Sequence, residues 1–258
     1  MKIKAAIAVT TLMILIMTSL FIGCKAEIPE DYFPIGVGSH WEYLVYSVNQ
    51  QGDSQISKDI LMVTGKEMID DLECYKLDKF SLEGGINPSW NHYREYLAKT
   101  EEGISCTKRA FPLPVLKQSM AEWELRNSPA EPRFKTKLKE GDSWEWEGFV
   151  TLFVDKPKKK GQKPRNARTV VKQIRGTIKY EYKGKEQITV MNKKLNCIKI
   201  FSRVISEDKQ EIERKLWYAP NIGLAREEAV YYRGSEVTKS WLELVDYNIT
   251  NRELFKAK

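Results

Sequence analysis

Two hydrophobic patterns divide the chain. From Ala5 to Gly23 the residues are uncharged and mostly apolar, behind Lys2 and Lys4. Beyond that run, apolar and polar positions alternate, which is the period of a half-buried strand. Thr177-Ile178-Lys179-Tyr180-Glu181-Tyr182 alternates cleanly, and so does Cys197–Val204, with Ile198, Ile200 and Val204 in phase. Aromatic and β-branched residues mark further strands at Trp41–Tyr46, Ile60–Val63, Phe149–Val154 and Trp241–Val245. Turn residues separate them: Asp70-Asp71, Gly84-Gly85, Asn192-Lys193 and Arg233-Gly234-Ser235. Helical signal is thin, and the spacing predicts one short helix over Val115–Arg126, between Pro114 and Pro129.

The alternating part repeats itself. Gly38-Ser39-His40-Trp41-Glu42-Tyr43 matches Gly141-Asp142-Ser143-Trp144-Glu145-Trp146. Gly65-Lys66-Glu67 then matches Gly184-Lys185-Glu186, and Leu72–Leu77 matches Leu195–Ile200, cysteine on cysteine. Tyr96-Leu97-Ala98 with Gly103 matches Trp217-Tyr218-Ala219 with Gly223. Four stations in one order predict a mainly β fold. It would have two tandem repeated antiparallel β units, packed together or forming one curved sheet. The expected boundaries are a first repeat at 32–110, a linker at 111–131 and a second repeat at 132–250. A tail follows at 251–258. The offset between stations grows from 103 to 123 residues, so the second copy holds about 20 more. They fall around a basic insertion at 156–175, read as part of a long hairpin.

A basic start and an apolar run also form the layout of an export signal. The run nearly reaches the ~20 residues a membrane span needs. Its end, Leu20-Phe21-Ile22-Gly23-Cys24, resembles the lipobox of bacterial lipoproteins. That resemblance implies cleavage after residue 23 and acylation of Cys24, with a tether at 24–31. Several acyl chains, palmitate among them, would hold the protein stably to a membrane. Lys25 after the cysteine favours the outer membrane by the sorting rule of enteric lipoproteins. The expected location is therefore the cell envelope, periplasm side.

Charge is concentrated in one place. Lys156–Arg175 holds nine basic residues and no acid. Removing those nine and the two signal lysines from the formal +7 leaves −4. Lys156, Lys158, Lys159, Lys160, Lys163 and Arg165 form a candidate anion-binding loop, against the plainer reading of a solvated turn. No nucleic-acid motif accompanies it.

Catalytic constellations are missing. The two histidines, His40 and His92, have no metal-ligand spacing, and no Gly-x-Ser-x-Gly elbow or Walker loop occurs. No metal or cofactor is expected. Cys74, Cys106 and Cys197 form an odd set, read as small buried residues rather than an obligatory bridge. Trp41 and Trp144 read as core anchors, while Trp90 and Trp123 are candidate contact residues. Asp70-Asp71, Glu101-Glu102 and Glu227-Glu228 read as turn and surface charges, because neighbours on a strand face opposite ways.

Tyr32-Phe33-Pro34, Val37-Gly38 and Trp41-Glu42-Tyr43 together resemble the opening of a group of uncharacterised bacterial lipoproteins. Trp217–Leu224 followed by Glu227-Glu228 resembles their closing segment. The resemblance implies an exported β protein and no activity. The expectation is a noncatalytic envelope module that binds a lipid, glycan or protein. The alternative is a carboxylate-based hydrolase on envelope substrates.

Overall fold

In a computed structural model the alternating segments become twelve antiparallel strands that close into one barrel. The structure describes residues 30–82, 92–112, 122–155, 168–207 and 209–250. The first six strands are β1 (His40–Val48), β2 (Ser54–Ile69), β3 (Leu72–Ser81), β4 (His92–Lys99), β5 (Gly103–Pro112) and β6 (Glu122–Lys135). The second six are β7 (Ser143–Asp155), β8 (Arg168–Val190), β9 (Lys193–Ser206), β10 (Gln210–Ala219), β11 (Gly223–Arg233) and β12 (Glu236–Asn248). Each strand pairs with its neighbour in sequence, and β12 returns to β1 with Tyr43 opposite Leu244. Of the two arrangements left open by the sequence, one curved sheet is correct, and its closure removes the exposed edges. Among the described residues there is no helix. The helix expected over Val115–Arg126 is corrected from Glu122 onward, where β6 begins; 113–121 lie outside the described residues.

The matched stations fall on strands six apart. Trp41 is on β1 and Trp144 on β7; Gly65 is on β2 and Gly184 on β8. Cys74 and Cys197 are on β3 and β9, and Ala98 and Ala219 on β4 and β10. The hairpin turns correspond too. Asp70-Asp71 and Met191-Asn192 all have positive φ, as a two-residue type I′ turn requires. Extra length in the second half enters at β7 and β8, which run to 13 and 23 residues against 9 and 16 for β1 and β2.

The barrel has a closed end. Phe33-Pro34-Ile35 lies inside it, with Ile35 buried and Phe33 packed on Phe134 and Tyr218 at 6.2 and 6.0 Å. Asp31 fixes this segment: its carboxylate pairs with Lys99 at 2.8 Å, and its carbonyl accepts from the Asn221 amide at 2.7 Å. Trp41 donates its indole N–H to the Ile222 carbonyl at 2.6 Å. Buried aromatic residues thus form a floor, with the Trp41 indole N–H satisfied by a backbone carbonyl.

One seam is stitched by side chains. β6 pairs with β7 only from Trp123 to Ser128. Pro129 and Pro132 follow, and proline offers no N–H to a ladder. The indole N–H groups of Trp146 and Trp144 take their place, donating to the carbonyls of Pro129 and Pro132 at 2.9 and 3.0 Å. Gly148 is required here, since a Cβ would lie 2.6 Å from the Trp146 ring and 2.6 Å from the Ser128 carbonyl.

The outer wall is charged. Lys58–Glu42, Lys199–Glu186 and Arg203–Glu211 pair across it at 2.5–2.7 Å. A lysine or arginine facing lipid at mid-membrane costs about 2–4 kcal/mol. The outer wall is therefore built for water.

Candidate ligand cavity

The barrel encloses a cavity of about 900 Å³. That volume falls in the range of small-molecule sites. Its floor is the plug with Trp41, Leu97 and Tyr218, and it reaches Phe111, Ser206 and Gln210 at the opposite strand ends. Its wall mixes apolar side chains, such as Leu61, Val204, Ile212 and Leu242, with nine charged ones.

Most of those charges form tight pairs along β2 to β6. Glu95 accepts from Arg109 at 2.8 Å and from Arg133 at 3.1 Å. Arg109 also donates to Glu131 at 2.9 Å, and Tyr180 donates to Glu131 at 2.8 Å. Arg133 Nε lies 2.6 Å from Glu131 Oε1 at an angle too poor for a hydrogen bond. Asn127 adds a longer bond to the same carboxylate at 3.4 Å. Nearer the open strand ends, Lys79 pairs with Asp59 at 2.6 Å and stands over the Tyr93 ring at 5.5 Å. Burial opposes the Lys79 ammonium, but Tyr93 and Asp59 outweigh it and hold its pKa above the ordinary lysine value. Burial pushes the Tyr93 phenol up to about 12, with Lys79 partly offsetting it. Burial, reinforced by the Glu131 charge, also pushes Tyr180 well up.

The wall at β10 and β11 is different. Arg214 meets Glu227 at 3.6 Å, too far for a hydrogen bond, and Arg214 Nε has no hydrogen-bond partner. Both side chains line the cavity and retain about a quarter of their surface, 27 and 22 %. Small residues flank the guanidinium, with Ser202 opposite it on β9 and Ala229 on β11.

The sequence-derived candidates are placed elsewhere. Cys24 and the loop residues Lys156, Lys158, Lys159, Lys160, Lys163 and Arg165 lie outside the described residues. His40 begins β1 half-buried, opposite Asn248 and Met62. Cys74, Cys106 and Cys197 are buried free thiols, and Trp41 and Trp144 are core residues. Trp90 lies outside the described residues, and Trp123 is on β6. Asp70-Asp71 is a turn, but Glu227 is corrected from a surface charge to a cavity residue, while Glu228 faces outward to Lys215. Two acids do converge in the cavity, Glu95 and Glu131, but the same two arginines hold both. Both carboxylates are thereby committed to guanidinium donors. Among the described residues no group of three or more His, Cys, Asp or Glu is placed to hold a metal.

The interior ions had one signal in the sequence. Arg214, Leu216 and Tyr218 share a strand phase, as do Tyr93, Glu95 and Leu97. A charge in the hydrophobic phase of a strand marks a polar interior.

No family model matches the chain, and no curated protein matches it. Solved structures similar to this chain include three lipoprotein or exported proteins. One is a candidate lipoprotein of Parabacteroides distasonis, 16% identical over 85% of this chain and 99% of its own, with a TM-score of 0.41. Another is a candidate exported protein of Bacteroides fragilis with a YmcC-like fold, 14% identical over 85% and 99%, with a TM-score of 0.43. The third is the hypothetical lipoprotein YmcC of Escherichia coli, 10% identical over 80% and 84%, with a TM-score of 0.38. At these scores and identities, nothing is carried from them to this chain.

Proposed function

We propose that the chain is an exported lipoprotein, anchored through Cys24, whose barrel binds a small ligand inside. The observation that carries the binding reading is the cavity of about 900 Å³ with its cavity-facing Arg214 and Glu227. A cavity of this size with a few convergent polar groups on an apolar wall is suited to binding one small molecule. It favours a lipid-like or glycan-like ligand over a flat protein partner. The anchor reading is supported by the lipobox-like Gly23-Cys24, and Lys25 favours the outer membrane. Asp31 is fixed at the closed end, so a tether from Cys24 would join the barrel there. β7 ends at Asp155 and β8 begins at Arg168, both at the end away from the plug. Lys156–Arg165, which joins them, is suited to draw anionic ligands toward the cavity, with a salt-dependent rate. The two six-strand halves are read as copies of one ancestral unit, supported by the matched stations.

Mass spectrometry of the full chain, purified from its own envelope, tests both parts. The denatured chain is expected to start at Cys24 and carry acyl groups. The native chain is expected to carry a further reproducible mass that denaturation releases. An unmodified Cys24 would overturn the anchor, and a ligand-free native mass would overturn the carrier.

A further inference from the structure

The ionic wall of the cavity is saturated on one side and open on the other. Among the described residues the carboxylate contacts of Arg109 and Arg133 lie between 2.6 and 3.1 Å, and each guanidinium meets both Glu95 and Glu131. Arg214 has one carboxylate within ion-pair distance among the described residues, Glu227, which meets Nε at 3.6 Å. Guanidinium donors are planar and form a fork that matches a carboxylate or a phosphate. Glu227 sits on the Nε side, so the terminal fork is left for the cavity.

The surroundings fit an occupant with two ends. Tyr180, Ser202, Arg214, Ala229 and Ser240 form one row across β8 to β12. Its small members leave room beside the guanidinium. The next row toward the open strand ends is apolar, with Ile178, Val204 and Ile212 in register.

We infer that Arg214 is the recognition residue for an acidic amphiphile, whose carboxylate or phosphate end sits on the guanidinium fork. Its apolar body lies along Ile212, Val204 and Ile178, toward the open strand ends. Glu227 holds the guanidinium from behind and competes with the incoming anion. This inference rests on the reading of the barrel interior as a ligand cavity.

The test is fluorescence binding to the full chain in a neutral detergent, using a dansyl-labelled fatty acid and its methyl ester as probes. The acid is expected to bind about tenfold or more tightly than the ester, the order of a charge-assisted hydrogen bond. Arg214→Met should erase that preference and leave the ester unchanged. Glu227→Gln should strengthen acid binding, and it keeps the inference testable if Arg214→Met fails to fold by circular dichroism. Equal binding of acid and ester to the native chain would overturn the role of Arg214 while leaving the cavity reading intact. Failure of both probes to bind would overturn the amphiphile, while the cavity reading stands or falls on the native mass. Inorganic phosphate that displaces the acid at equal concentration would overturn the amphiphile, since the apolar body would contribute nothing.

Discussion

Glu131 is the most heavily committed side chain inside the barrel. It holds Arg109 and Arg133, accepts from Tyr180, and is almost fully buried at 4 % exposure. Removing it leaves two buried guanidinium groups to share the single counterion Glu95 and leaves the Tyr180 hydroxyl without its acceptor. Glu131→Ala is expected to cost about 3–5 kcal/mol. A urea titration checks this: a midpoint close to the native one would mean that water replaces the carboxylate. Nothing in the local sequence Pro129-Ala130-Glu131-Pro132 marks this residue as central. Its importance comes from Arg109, Arg133 and Tyr180, which reach it from β5, β6 and β8.

At the scale of the elements, the seam between β6 and β7 is the unusual join. Backbone pairing stops at Ser128, and two tryptophans hold the carbonyls beyond it. Trp146→Phe removes the N–H that reaches Pro129 together with the outer ring atoms that cover Gly148 and Gly176. A buried carbonyl left without a donor costs about 1–3 kcal/mol. The loss should be local as well as global, with faster amide exchange on β7 near Phe149 than on the β8–β9 hairpin. Uniform acceleration over the barrel would contradict a seam held by the indole. The prolines were visible in the sequence and suggested a linker between repeats. What hid the strand was that its partner groups are side chains of the following strand, not a backbone ladder.

The molecule as a whole has an alkaline limit. Burial raises the pKa values of Tyr43, Tyr93, Tyr180 and Tyr218, and of the Cys106 and Cys197 thiols. Tyr93 reaches about 12 and Cys197 about 11. The unfolded chain ionises these groups near 8.5 for thiols and near 10 for phenols, while the folded chain still holds their protons. The unfolded state therefore binds fewer protons as pH rises, and stability falls. The contribution is complete below about pH 8.5 and is lost from there through about pH 12. Urea melts at about pH 7, 9 and 10.5 should show falling midpoints, with tyrosinate absorbance rising only as the barrel opens. Midpoints that stay constant to the highest pH would mean that the phenols titrate in place.

The sequence by itself determined the strand content, the positions of most turns, the buried tryptophans and the duplicated order of stations. Each of these is local: alternation sets which face of a strand is buried, and positive-φ turns need particular residues. The apolar start with Gly23-Cys24 is equally local. Tertiary structure decided three things: that the strands close into one barrel, that Phe33–Ile35 fills its end, and that nine charges face inward. Alternation shows that side chains share a face, but it does not show whether that face meets a second sheet or a cavity. Closure brings β1 to β12 across some 200 residues, Tyr43 to Leu244. Neighbour pairing sets Arg109 of β5 near Glu131 of β6 and Arg214 of β10 beside Glu227 of β11, and curvature into the barrel turns these groups toward one cavity and brings Tyr180 of β8 to Glu131. The cavity and its unsatisfied arginine belong to the closed sheet, because strand spacing and barrel width set how far apart these charges stand.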